Sequence, residues 1–167
     1  MSCGPTCAAC LRLNANWPAV AVLYEDADLL AVDKPAGLLV APDRWDPERE
    51  NLMSLLSAGI RAGRPWATAR GLDYLANAHR LDRFTSGVLL LARNRSCLRA
   101  LARQFLERAV RKTYLALVNG GPTEEETEVD LPLAPDPARP GLAVVNPLTG
   151  KPARTRFAVL ERYRGYT

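Results

Sequence analysis

The densest group of chemistry-bearing side chains is His79-Arg80-Leu81-Asp82-Arg83-Phe84-Thr85-Ser86-Gly87, directly before the apolar run Val88-Leu89-Leu90-Leu91. It sets a lone carboxylate between two guanidiniums at the mouth of a predicted strand. Nearby positive charge favours the ionised form of a carboxyl group, so Asp82 is expected to carry its charge. Such a group can attack a carbon, abstract a proton or stabilise developing positive charge. Thr85, Ser86 and Gly87 have the composition of a tight turn whose side chains bond the local backbone. On residue types alone, a solvated salt-bridge loop fits the same nine residues.

Other catalytic signatures fail on spacing. A kinase catalytic loop needs Asp directly after His-Arg, but Leu81 intervenes and no Asn follows at the required distance. Gly150-Lys151 lacks the upstream glycine of a phosphate loop, because Val145 stands there. His79 is the single histidine, which excludes multi-histidine metal sites. Cys3, Cys7 and Cys10 have the spacing that holds an iron–sulfur cluster in some radical enzymes. No strand precedes them and no glycine-rich cofactor segment follows, so the triplet reads as incidental. No metal or cofactor site is expected. Cys97 falls on the apolar side of a predicted helix and reads as a small core residue.

A chain of 167 residues, 48% apolar and 24% charged, suits one soluble domain. No apolar stretch is long enough for a transmembrane helix, and Met1–Pro5 lacks the pattern of a secretory signal. These features predict a cytoplasmic protein. Residues 1–16 show no periodicity and read as an N-terminal tail, with the domain at 17–167. Ala19–Tyr24 and Leu29–Val32 read as strands around an acidic turn, and Pro35 and Gly37 predict a tight turn after the second. Asn51 is a predicted N-cap for a helix with Leu52, Leu55, Leu56 and Ile60 on one face, stopped at Gly63. Residues 63–78 read as a basic, irregular connection. Gly87–Leu91 reads as a central strand buried on both faces. A helix is predicted over 95–109, a strand over Thr113–Val118, an exposed acidic connection over Thr123–Asp130, and strands at Val144–Val145 and Ala153–Tyr163. Strands dominate and no βαβ alternation is sustained. The expected fold class is α+β, a largely antiparallel mixed sheet with a few flanking helices.

Charge is unevenly spread. Residues 1–59 carry a net −4, residues 60–119 a net +9 and residues 120–167 a net −1. Eleven of the twelve central bases are arginine, whose flat fork binds phosphate and stacks on bases. Nucleic acid leads the partners such a segment suggests, and a solvated arginine-rich helix face fits equally well.

His79-Arg80-Leu81-Asp82-Arg83-x-Thr85-Ser86-Gly87 resembles the catalytic motif of RluA-type RNA pseudouridine synthases. Leu29–Gly37 resembles that family's first motif, and Lys112–Val118 its tyrosine-bearing strand. Ala153–Phe157 through Leu160-Glu161 is also similar, so the resemblance covers about residues 19–167. It implies the pseudouridine synthase fold and the isomerisation of uridine in ribosomal or transfer RNA. The N1–C1′ bond breaks, the uracil turns, and C5 bonds to C1′. No group leaves and nothing is oxidised, so no cofactor is implied. Asp82 is then the catalytic carboxylate, by attack at C1′ or by abstraction of a ribose proton. The substrate-binding residues are Arg80, filling the space of a base that has left its stack, Arg83, and Tyr114, lining the uracil pocket. Relatives continue into a Gly-Arg-Thr-His-Gln-Ile-Arg-like segment after the position of Thr167, so the chain reads as the N-terminal two-thirds of such a domain. The alternative is a non-catalytic RNA-binding protein of the same fold. A monomer is expected, with RNA as partner and no membrane.

Overall fold

The computed structural model describes residues 9–43, 46–139 and 141–167. These fall into two compact units, which divide after Arg111.

In the first unit five strands form an antiparallel sheet. They are β1 (Cys10–Leu11), β2 (Val20–Glu25), β3 (Leu29–Lys34), β4 (Ala76–Asn77) and β5 (Gly87–Ala92), in spatial order β1-β2-β3-β5-β4. The β2–β3 hairpin forms where the acidic turn was expected. Asp26 closes it by accepting the amides of Asp28 at 2.8 Å and Leu29 at 2.7 Å. β3 and β5 pair without interruption from Leu29↔Ala92 to Lys34↔Gly87.

Leu30 and Val32 of β3 lie opposite Leu91 and Leu89 of β5, and all four are buried. Their face meets α1 (Leu52–Arg61) through Leu52 and Leu56, and α2 (Pro65–Thr68) through Trp66 and Ala67. Asn51 caps α1 as its residue type predicts, accepting the Ser54 amide at 2.9 Å. Gly63, at φ +59°, ends that helix in the left-handed region. α3 (Arg95–Leu106) lies against β5 and starts at an Asn94 cap, whose side chain accepts the Cys97 amide at 2.8 Å.

Several expectations change here. The N-terminal tail is shorter than 1–16, because Cys10–Leu11 pairs with β2 and both Leu11 and Leu13 are buried. Cys10 sits in that strand, and Cys3 and Cys7 lie outside the described residues. The connection at 63–78 holds α2 and β4 rather than being irregular throughout. Trp66 anchors it, with its indole N–H donating to the Arg12 carbonyl at 3.0 Å. β5 is not buried on both faces, since Val88 is exposed where the strand leaves the loop.

In the second unit β6 (Glu126–Asp130) pairs with β9 (Arg154–Ala158), and β7 (Leu133–Pro135) pairs with β8 (Ala143–Val145), both antiparallel. The acidic stretch is therefore a strand at its C-terminal end, not a connection. Its charge is matched across the ladder: Arg154 meets Asp130 at 2.9 Å and Glu128 at 3.6 Å. Residues 113–118 form no strand, contrary to their composition. Only the end of this segment is paired, where Val118 and Thr167 exchange backbone hydrogen bonds. Without a ladder along it, β propensity alone does not make a strand. The α+β, antiparallel reading of the fold agrees with the sheets of both units. Among the described residues, no helix is long and apolar enough to cross a membrane.

Candidate active site

β3 and β5 run antiparallel, so the C-terminal end of β3 and the N-terminal end of β5 lie side by side. The Pro35–Gly37 turn leaves one, and the loop of residues 79–86 enters the other. The two segments are clipped together by one backbone and one side-chain hydrogen bond. The Gly37 amide donates to the Arg83 carbonyl at 2.8 Å, and Arg83 Nε donates back to the Gly37 carbonyl at 3.1 Å. Gly37 sits at φ +89°, a conformation that glycine tolerates and other residues resist.

Beneath this clip lies Lys34, which is 0% exposed. Its ammonium donates to the carbonyls of Pro35 and Leu38, each at 2.8 Å, and of Arg83 at 3.3 Å. Three carbonyls thus match its three donors. Burial pushes its pKa below the ordinary lysine value, and the charge of Asp82 pulls it partly back. The charge of Asp82 thus acts on the buried Lys34 ammonium. Lysine is seldom fully buried, and its type alone gives no signal of this role.

The loop alternates between anchors and exposed groups. His79 is half-buried, Arg80 exposed, Leu81 buried in the core, and Asp82 and Arg83 exposed. His79 lies with its ring stacked on Phe105 of α3, centroids 4.8 Å apart, and its Nε2 accepts the Leu90 amide at 3.0 Å. Asn77 donates from its side chain to the His79 carbonyl at 3.0 Å. Asp82 opens a turn closed by the Thr85 amide on its own carbonyl at 3.1 Å, through backbone rather than the Thr or Ser side chains. Among the described residues its carboxylate makes no ion pair within 4.0 Å, so neither Arg80 nor Arg83 pairs with it directly. The Arg83 guanidinium instead lies 5.0 Å from the ring centre of Phe84, which is 76% exposed. An exposed carboxylate on a braced turn, beside an arginine–aromatic pair, can meet a sugar and a base together.

Arg80, Asp82 and Arg83 thus share one loop of the first unit. Tyr114 belongs to the second unit, on the unpaired segment, and is 60% exposed. Part of the central positive charge is structural. Arg70 and Arg93 both pair with Glu25, at 2.9 and 3.1 Å, at the other end of the sheet. Arg95, Arg99 and Arg103 remain as an exposed row along α3.

Residues 28–167 match the family model described as RNA pseudouridylate synthase. The dual-specificity RNA pseudouridine synthase RluA of Escherichia coli O6:H1 is 40% identical over 145 residues, covering 86% of this chain and 60% of that protein. The ribosomal large subunit pseudouridine synthase C of Escherichia coli K12 is 41% identical over 143 residues, covering 85% of this chain and 41% of that protein. The chain therefore spans about 60% of the length of the first and less of the second. Among solved structures, human RNA pseudouridylate synthase domain containing 1 is similar with a TM-score of 0.61 at 25% identity, covering 85% of this chain and 52% of that one.

Proposed function

The chain belongs to the RNA pseudouridylate synthase family, and on that footing we propose that it isomerises uridine in structured RNA to pseudouridine, with Asp82 as the catalytic carboxylate. The observation that carries this reading is the placement of Asp82 on an exposed turn clipped to the Lys34–Gly37 segment. Asp82 engages C1′ or a ribose proton as the N1–C1′ bond breaks. The uracil rotates, C5 bonds to C1′, the C5 proton is removed and N1 gains one, so the product has the atoms of the substrate. No cofactor enters this balance.

Arg80, exposed beside Asp82, is proposed to fill the space left by the flipped base, where a planar guanidinium can stack. Arg83 and Phe84 offer a second stacking surface. Tyr114 is proposed to line the uracil pocket and help move the C5 proton. One relative is named for dual specificity toward RNA and the other for the ribosomal large subunit, which puts ribosomal RNA first in the search for substrate, with transfer RNA beside it. We place the protein in the cytoplasm, as a monomer. Its catalytic domain is taken from residue 17 onward, extended back to Cys10 by β1.

The test is product analysis. The purified chain is incubated with ribosomal and transfer RNA lacking pseudouridine, and the digested nucleosides are separated. Pseudouridine formed by the wild type and not by Asp82→Asn supports the proposal. RNA binding with no product in any RNA supports the non-catalytic alternative instead.

A further inference from the structure

Every member of the 79–83 segment except His79 has a place in the reaction or the core. β4 ends at Asn77, opposite Leu91 of β5. One step further along the ladder, the paired residues of β4 have ended before the Leu90 amide. The imidazole of His79 accepts that amide, with Nε2 at 3.0 Å. The side chain thus continues the sheet edge where the backbone departs into the loop. An acceptor nitrogen carries no proton, so the neutral ring holds its proton on Nδ1. The stack on Phe105 fixes the plane of the ring. Three residues later comes Asp82, and between them Leu81 is locked in the core.

We propose that His79 is a positioning residue for Asp82: its neutral imidazole ends the β5 edge and sets where the catalytic loop leaves the sheet. This rests on the proposed isomerase activity. A second proton on the ring would set Nε2–H against the Leu90 N–H, donor against donor. The bond then breaks, and the loop loses its upstream anchor while the Arg83 clip still holds downstream. Activity is therefore lost on the acid side. Among the described residues, the titratable and charged groups on the elements packed against the ring are these. β5 has none, and β4 has none. On α3 and just after it, Arg103, Glu107 and Arg108 stand within a turn of Phe105, with Arg103 and Glu107 paired at 3.8 Å. On its own segment stand Arg80 and Asp82.

His79 is the chain's one histidine, so imidazole NMR signals report on it alone. The experiment follows those signals with pH alongside exchange protection of the Leu90 and Thr85 amides. Thr85 reports the Asp82 turn, because its amide closes that turn. Protection at both amides is expected to fall as the ring takes up its second proton. His79→Leu is expected to lower kcat about a hundredfold with KM unchanged, since a displacement near 1 Å costs that much. His79→Gln, whose carbonyl can accept the Leu90 amide, is expected to restore most of kcat and to remove the acid-side loss. Thr85 protection that stays constant through the imidazole titration overturns the proposal. So does His79→Leu with wild-type kcat. If the wild type forms no pseudouridine in any RNA, the isomerase reading fails, and the two amides still decide the role of His79.

Discussion

Arg83 and Gly37 exchange two hydrogen bonds across 46 residues of sequence, one from each partner. The exchange locks the entrance of β5 to the exit of β3, and it occupies Nε of an arginine whose sequence context suggests only substrate binding. Arg83 therefore braces the loop, apart from the substrate contact proposed for it.

Gly37→Ala tests this clip directly. A Cβ there would meet only ordinary contacts with Trp17, at 3.6 Å, so space is not the obstacle. The cost is the positive φ, about 1–2 kcal/mol for an L-residue. Urea denaturation is expected to show that loss, and pseudouridine formation is expected to fall with it. An unchanged unfolding midpoint would mean that the turn relaxes without strain.

Asp82→Asn is expected to abolish isomerisation while leaving RNA affinity and thermal stability near wild type. The side chain is exposed and forms no ion pair among the described residues, so its charge reaches the fold only through the longer-range pull on buried Lys34. Nucleoside analysis and a filter-binding titration measure the two properties separately. Activity within tenfold of wild type would remove Asp82 from the catalytic role.

Lys34 and Asp82 are coupled, and the coupling has a sign. Burial lowers the lysine pKa in the fold, so the folded chain releases that proton at lower pH than the unfolded chain. The contribution of Lys34 to stability consequently rises with pH from its folded pKa up to the ordinary value of 10.5, and falls as pH drops back through that window. Removing the restoring charge with Asp82→Asn is expected to move the Lys34 Nζ titration to lower pH, read by nitrogen NMR. Identical midpoints in the two proteins would show that the charges do not interact. Lys34→Met, which strands three carbonyls, is expected to cost about 2–4 kcal/mol in urea unfolding.

The row Arg95, Arg99 and Arg103 has a helical spacing of four, which keeps it on one side of α3. If it follows RNA phosphates, Arg99→Glu or Arg103→Glu is expected to flatten the dependence of log affinity on log salt by about 0.7–0.9 per lost contact. Titrations across a range of salt concentrations measure this. An unchanged slope leaves the row as a solvated surface.

Much of the frame was legible in the residues, for reasons that the structure makes plain. Asn51 caps its helix because its side chain reaches an amide three residues on; Asn94 does the same for α3, a cap that the sequence reading did not single out. The β2–β3 hairpin follows from two apolar runs around Asp26. Cys10–Leu11 was not legible, because two residues carry no period. Glu126–Asp130 reads as solvated until Arg154 and Arg156 are placed opposite it. Residues 113–118 show the reverse error, a strand composition without a neighbour to bond. At the site, the loop around Asp82 was legible as a motif, but the burial of Lys34 and the acceptor role of His79 depend on contacts 49 and 11 residues away.

The paired apolar runs of β3 and β5 have a consequence for uniqueness. Leu30, Ala31 and Val32 are all buried, as are Leu89, Leu91 and Ala92. Slid by one residue, the two strands would still set apolar against apolar, so greasiness alone chooses poorly between the competing alignments. A slip of that size moves one chain by about 3.3 Å relative to the other. It would carry the Lys34 ammonium out of reach of Arg83 and part Gly37 from its carbonyl. The buried cation thus acts as a key that admits a single alignment, a use of buried charge that favours specificity over strength. Chains that miss it keep a sheet but have no place to hold Asp82.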